Sequence, residues 1–184
     1  EYVKKINDPN ADNNFTYREG EGILTQLSYS RKGLGINLQA KTVDNMSFRS
    51  DRDLRLFDLP INFIPAITKQ HTYNLAATLY PYATVINGES SYSAELFYKI
   101  KKNTPLGGKY GTNIIVNFAA ANSLDTTRLS GLDGNINGFK RNSLFFGDQK
   151  FVRDFNAQVS RKFNKNLKAK YTYFYLEFNP LANP

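Results

Sequence analysis

The sequence predicts an all-β chain: an antiparallel up-and-down transmembrane β-barrel, or a portion of a larger one. Three observations carry this expectation. Apolar and polar residues alternate through most of the chain, the period of two that sends successive side chains to opposite faces of a strand. The alternating runs are about ten residues long, near the ~9–11 that a tilted strand needs to cross the apolar layer of a bilayer. Very short turns contrast with long links at 44–71 and 123–150, as the two ends of an outer-membrane barrel do.

Taken in order, residues 1–21 read as an Asn-rich loop. Ile23, Thr25, Leu27 and Tyr29 then share one face, and after Lys32-Gly33 the residues Leu34, Ile36, Leu38, Ala40 and Thr42 return along it, which is a tight hairpin. Tyr73, Leu75, Ala77 and Leu79 predict a third strand running to Tyr82. Asn87-Gly88 predicts a hairpin turn from it, because both residues tolerate positive φ, into a strand bearing Tyr92, Ala94, Leu96, Tyr98 and Ile100. A fifth strand carries Thr112, Ile114, Val116, Phe118 and Ala120. Phe155, Ala157 and Val159, the turn Asn164-Lys165-Asn166, and Leu167, Ala169, Tyr171, Tyr173 and Tyr175 form the last pair, giving seven predicted strands.

Seven does not close a bacterial single-chain barrel, whose strand number is normally even. If 87–88 and 164–166 are turns at the same membrane side, four strands must separate them, and only three are clear. A weak strand at 143–146, or a long link on the short-turn side, would repair the parity. The terminal Asn-Pro-Leu-Ala-Asn-Pro has no closing aromatic, so residues 1–184 are expected to be one barrel domain or part of one, with Glu1 a cut edge.

Composition narrows the chemistry. The chain lacks Cys and has one His, which excludes disulfide frameworks, thiolate metal sites and multi-histidine sites. At 41% hydrophobic and 22% charged it can bury a core, unlike a disordered chain. No apolar run reaches the ~18–20 residues of a spanning helix. Lys and Arg outnumber Asp and Glu by 24 to 16, but in short clusters at 99–102 and 161–170 with no nucleic-acid motif beside them. Anionic lipid and lipopolysaccharide are the expected partners, and nucleic acid is not.

On the predicted apolar face, Tyr29, Tyr73, Tyr92, Tyr98 and Tyr175 stand near strand ends, where a ring can keep its hydroxyl at the headgroups. Arg153 and Arg161 share that face and are expected at strand ends, where an Arg costs ~0–1 kcal/mol against ~2–4 at the midplane. The opposite face carries Lys41, Lys99, Lys162, Lys168 and Lys170 against Glu95 and Asp154. These seven are the candidate lumen charges, and an open lumen so lined would prefer anions.

Other motifs bear on chemistry. Asp8, Asn10, Asp12, Thr16 and Glu19 match an EF-hand loop at positions 1, 3, 5, 9 and 12, but Asn13 replaces the turn glycine and helices do not flank it, so an Asn-rich surface loop is the simpler reading. Asp133, Asn135, Asn137 and Gly138 begin a second match that ends at Leu144. His71 is the one base for a Ser-His-Asp site, and without a Gly-x-Ser-x-Gly elbow it reads as a hydrogen-bonded structural residue. No catalytic site, metal or cofactor is expected. The loop 54–67 is unusually apolar. Leu56, Phe57, Ile61, Phe63 and Ile64 either fold into the barrel or present a surface for a partner protein.

Four segments, Thr68-Lys69-Gln70-His71-Thr72-Tyr73, Tyr80-Pro81-Tyr82, Asn45-Met46-Ser47-Phe48-Arg49 and Gly108-Lys109-Tyr110-Gly111-Thr112, together resemble an uncharacterised family of Bacteroidota outer-membrane β-barrel proteins over residues 17–122. The resemblance implies an outer-membrane location and a barrel fold, and it brings no catalytic residue, substrate or cofactor. The expected function is a structural, pore, transport or secretion-associated role in the outer membrane. A soluble secreted β-sandwich binding glycan or protein is the alternative, and a barrel hydrolase the third. If the face bearing Ala157 meets lipid, Ala157→Arg should block assembly; normal membrane levels of that variant would contradict the assigned face.

Overall fold

A computed structural model of the chain describes residues 1–6, 8–15, 17–55, 58–70, 82–128 and 139–179. Among these, seven strands form one antiparallel sheet in sequence order: β1 (Tyr2–Lys5), β2 (Gly20–Arg31), β3 (Leu34–Asp44), β4 (Glu89–Ile100), β5 (Thr112–Arg128), β6 (Phe139–Lys162) and β7 (Lys168–Phe178). The fold is therefore all-β and up-and-down. The sheet is open, since β1 and β7 each have a single neighbour. A short 3-10 helix, Ala11–Asn13, is the other regular element described, and no described helix is long and apolar enough to cross a membrane.

The ladder register sorts the side chains. Opposed residues share a face, so the run Leu27, Leu38, Ala94, Phe118, Phe155 and Tyr175 lies across six strands in one row. The next row holds Tyr29, Ile36, Leu96, Val116, Ala157 and Tyr173. Both rows keep large apolar surface open, with Leu27 65% and Tyr173 50% exposed. The row between them is polar from β2 to β6, where Ser28, Asn37, Glu95, Asn117 and Asn156 oppose one another in turn on the other face, and it ends on Phe174 in β7. The predicted partition into faces therefore holds from β2 to β7.

Three expectations change. First, β4 is paired along both edges, to β3 and to β5, so the hairpin expected at Asn87-Gly88 is not among the pairings of the described residues, and the predicted strand 73–82 lies, apart from Tyr82, outside them. Val85 and Gly88 do make a turn, with Gly88 N–H donating to the Val85 carbonyl at 3.1 Å, but it carries a covering segment into β4. Residues 71–81 lie outside the described residues. Without that hairpin the parity conflict disappears. Turns at 32–33, 101–111 and 163–167 share one end of the sheet, and the links 45–88 and 129–138 share the other. Second, the loop predicted at 1–21 begins with β1, paired to β2 from Tyr2↔Ile23 to Lys5↔Gly20.

Third, the loop predicted at 123–150 is largely strand, and 143–146 belongs to β6. Where β5 advances from Ala121 to Arg128, β6 spends the longer run from Val152 back to Phe139, and the register slips at three places. Such bulges bend a strand pair. Here the bend carries Phe146 onto the ring of Tyr92, edge to face at a centroid distance of 4.8 Å. Arg153 is thus not at a strand end; it borders the apolar rows, its guanidinium 5.5 Å from the Phe146 ring and bonded to the carbonyls of Ala121 and Val152. Gly147 permits the bend, since a Cβ there would run into the Leu124 carbonyl and the Ser123 hydroxyl. Gly147→Val should cost about 1–3 kcal/mol and release the bent arm, seen as faster proteolysis within 139–150 at unchanged cleavage elsewhere.

Candidate functional site: the covered polar face

In a water-soluble sheet protein the apolar face is covered and the polar face is wet. Here the chain covers its own polar face. Buried polar residues include Lys41, Glu89, Ser91, Asn117, Asp154 and Asn156, while Leu38, Leu96, Phe118 and Val159 on the other face are exposed. The cover comes from the connection between β3 and β4. Lys69 reaches Asn156 of β6 at 3.4 Å, Tyr82 meets the Phe178 ring of β7, and Tyr82 and Val85 pack on Ala121, Phe151 and Val152. Phe151 is the extra residue of the first register slip, opposite Ala121 together with Val152, which adds its side chain to this inner cluster.

One node fastens the cover. Lys41 Nζ lies 3.2 Å from Glu89 Oε1, both side chains being almost fully buried. The ammonium also donates to the Pro65 carbonyl at 2.9 Å and to Thr84 Oγ1 at 2.6 Å. Glu89 Oε2 accepts from the Tyr82 hydroxyl at 2.6 Å and from the Val85 N–H at 2.9 Å. Burial, reinforced by the neighbouring carboxylate, pushes the Tyr82 phenol well above its ordinary pKa, so it remains a hydrogen-bond donor throughout the physiological range. The charges and donors here are committed to holding residues 65 and 82–85 against β3 and β4. This is a clasp rather than a reactive constellation.

Beside the clasp, the cover leaves a cavity of ≈ 600 Å³ between the sheet and residues 62–68. Its wall is apolar, with Val3, Leu24, Val43, Met46 and Ile64, and Gln39 and Lys41 supply polar atoms. The volume falls within the ~300–1,000 Å³ of small-molecule sites.

The seven candidate lumen charges share one face by register but do not meet. Lys41 and Asp154 are buried under the cover, and Lys99, Lys162, Lys168 and Lys170 are exposed at the short-turn end, where Lys162 opposes Lys168. Glu95 stands between the two groups and is exposed. Glu89, unassigned from sequence, joins this face and neutralises Lys41, so the cationic excess is confined to the short-turn end. Of the candidate partner loop, Ile64 is half-buried at the cavity, Ile61 and Phe63 are exposed, and Leu56 and Phe57 lie outside the described residues.

The oxygens of the first calcium-like loop are drawn to separate partners. Asp8 pairs with Lys5, Asp12 with Arg49 and Glu19 with Lys4, and Asn10 caps the 3-10 helix in a reciprocal box with Asn13. Thr16, His71 and residues 133–138 lie outside the described residues, and no metal-binding cluster of three or more His, Cys, Asp or Glu occurs among those described. A second ionic node was also not foreseen. Asp44 accepts from Arg18 at 2.6 Å and from Arg141 at 2.8 Å, and Arg141 also pairs with Glu21. It ties the bent β5–β6 arm to β2 and β3.

These features define a protein built, among the described residues, on one open, up-and-down antiparallel sheet, with part of its polar face covered by its own chain. The chain belongs to a family of unknown function, DUF6029, over residues 1–183. No curated protein and no solved structure matches it.

The clasp can be tested directly. Glu89→Leu strands a buried ammonium and should cost about 3–5 kcal/mol, whereas Lys41→Met/Glu89→Leu removes both charges and should recover most of that loss. Urea midpoints of the parent and the two variants would show it, and an unchanged midpoint for the single variant would mean that the pair holds nothing.

Proposed function

We propose that the protein is an integral outer-membrane β-barrel protein of a Gram-negative bacterium, plugged internally, with a structural or secretion-associated role rather than that of an open pore. The observation that carries this reading is the reversal of burial. The apolar face is exposed at Leu27, Leu38, Phe118 and Tyr173, whereas the half of the polar face near the 45–88 link, with Lys41, Ser91 and Asn156, is covered. All seven described strands belong to a single sheet, so among the described residues no second sheet stands against the apolar face, as a sandwich would require. Hydrocarbon is the solvent that suits such a face.

The reading suits the contrast between the tight turns at 32–33 and 163–167 and the 45–88 link at the other end, and it requires the sheet to close. In lipid, backbone N–H and C=O groups at an open edge have no water to bond. The edges of β1 and β7 are therefore joined to further strands in the assembled protein. The buried clasp and the segment 62–70 would lie inside the barrel, which disfavours free diffusion through it. The same uncovered face supports the resemblance to Bacteroidota barrels.

Fractionation tests the proposal. The protein should sediment with outer membranes, need detergent for extraction and change its electrophoretic mobility on heating. A freely soluble monomer with no heat-dependent shift would overturn the reading and favour a secreted, partner-binding protein.

A further inference from the structure

The three connections at one end of the sheet, of two, eleven and five residues, gather cations from distant parts of the chain. The β2–β3 turn carries Arg31 and Lys32, the β4–β5 turn Lys99, Lys101, Lys102 and Lys109, and the β6–β7 turn Arg161, Lys162, Lys165, Lys168 and Lys170. Eleven of the 24 Lys and Arg residues therefore stand at one end of the sheet, while residues 30–35, 98–112 and 159–171 contain no Asp or Glu. The nearest acid along β4 is Glu95, about 13 Å below Lys99 at the rise of a strand.

The turns are contiguous in space. Lys99 N–H donates to the Gly33 carbonyl at 2.8 Å, Lys162 Nζ lies 5.3 Å from the Tyr110 ring centroid and Arg161 lies 5.4 Å from that of Phe163. Ten of the eleven are exposed, and none forms an ion pair among the described residues. Six strands at ~4.8 Å spacing spread this rim over roughly 25 Å. So much uncompensated like charge repels itself, and its counter-charges must come from outside the chain.

Position identifies them. Arg31 and Arg161 continue the outward rows: Arg31 shares its row with Leu34, Tyr98 and Tyr171, both tyrosines being exposed, and Arg161 opposes Thr112 one row further out. Cations bordering an apolar belt through a line of tyrosines meet a bilayer at its phosphates. Lys99, Lys162, Lys168 and Lys170 face inward and line the mouth instead.

We propose that the outward and turn-borne cations of this rim, Arg31, Lys32, Lys101, Lys102, Lys109 and Lys165 with Arg161, bind the phosphates of anionic glycerophospholipids in the leaflet faced by the short turns. This rests on the barrel reading, in which short turns lie on the periplasmic side. The annulus fixes the depth of the sheet in the bilayer, because each cation gains most when it reaches the phosphate plane.

The test is native mass spectrometry of the full chain, folded in detergent and offered equimolar phosphatidylglycerol and phosphatidylcholine. Phosphatidylglycerol should be retained in preference, and Arg31→Gln/Lys32→Gln/Lys102→Gln/Lys165→Gln should reduce that preference by roughly tenfold or more. The inward variant Lys99→Gln/Lys162→Gln/Lys168→Gln/Lys170→Gln should keep it. Equal retention of the two lipids, the same loss in both variants, or stronger retention of a short DNA duplex would overturn the proposal. A chain that stays soluble without detergent removes the barrel reading and this one together, whereas membrane insertion without headgroup preference removes this one alone.

Discussion

The register of the antiparallel ladder is the constraint on which the molecule depends. Side chains alternate strictly along a strand, so a slip of one residue between β3 and β4 would turn Ala94, Leu96 and Tyr98 toward the polar side and bring Glu95 and Lys99 out among the apolar rows. The pairing Leu38↔Ala94 and its continuation through Phe118 and Phe155 avoid this across six strands. Irregularity is admitted only beyond the Arg153 row, where the β5–β6 arm leaves the regular sheet and bulges can bend it without disturbing the belt.

Covering a polar face with protein creates a problem opposite to that of an ordinary core. Charged and amide groups lose water and must find partners. The chain answers with long-range contacts rather than local ones. Lys41 is met by Pro65, Thr84 and Glu89, and Asn156 by Asn117 and Lys69. The clasp therefore does two things: it neutralises a buried ammonium and positions the covering segment. Its residues come from two adjacent strands and the link between them, so the clasp and the β3–β4 pairing support each other.

Six of the seven described strands were legible from alternation, within a few residues at their regular ends, because one face repeats apolar side chains without interruption. What was missed has physical causes. β1 has four residues, too few to display a period. The outer arms of β5 and β6 lost their alternation to bulges, so Leu124 and Phe146 looked like loop residues. Asn87-Gly88 signals a turn from local backbone preference and says nothing of what enters it. Reading a strand at 73–82 separated β3 from β4 and hid the Lys41–Glu89 pair, although Glu89 has the same parity as Ser91 and Glu95 and that periodicity alone placed it on the polar face. Asp44, Arg18 and Arg141 converge only through the bent arm, which no spacing in the sequence expresses.

Among the described residues β7 is paired on one side alone, to β6, and its other edge carries its own consequence. Paired to β6 from Val152↔Phe178 to Lys162↔Lys168, it presents eleven residues of backbone beside a column of Tyr171, Tyr173 and Tyr175. A newcomer hydrogen-bonding there inherits its alignment from that column, since only one phase of its alternation puts oily groups beside the rings. The seam is thus written as a stencil: it accepts a matching strand in one orientation and, until one arrives, leaves an adhesive border that the cell must keep from sticking to the wrong chain.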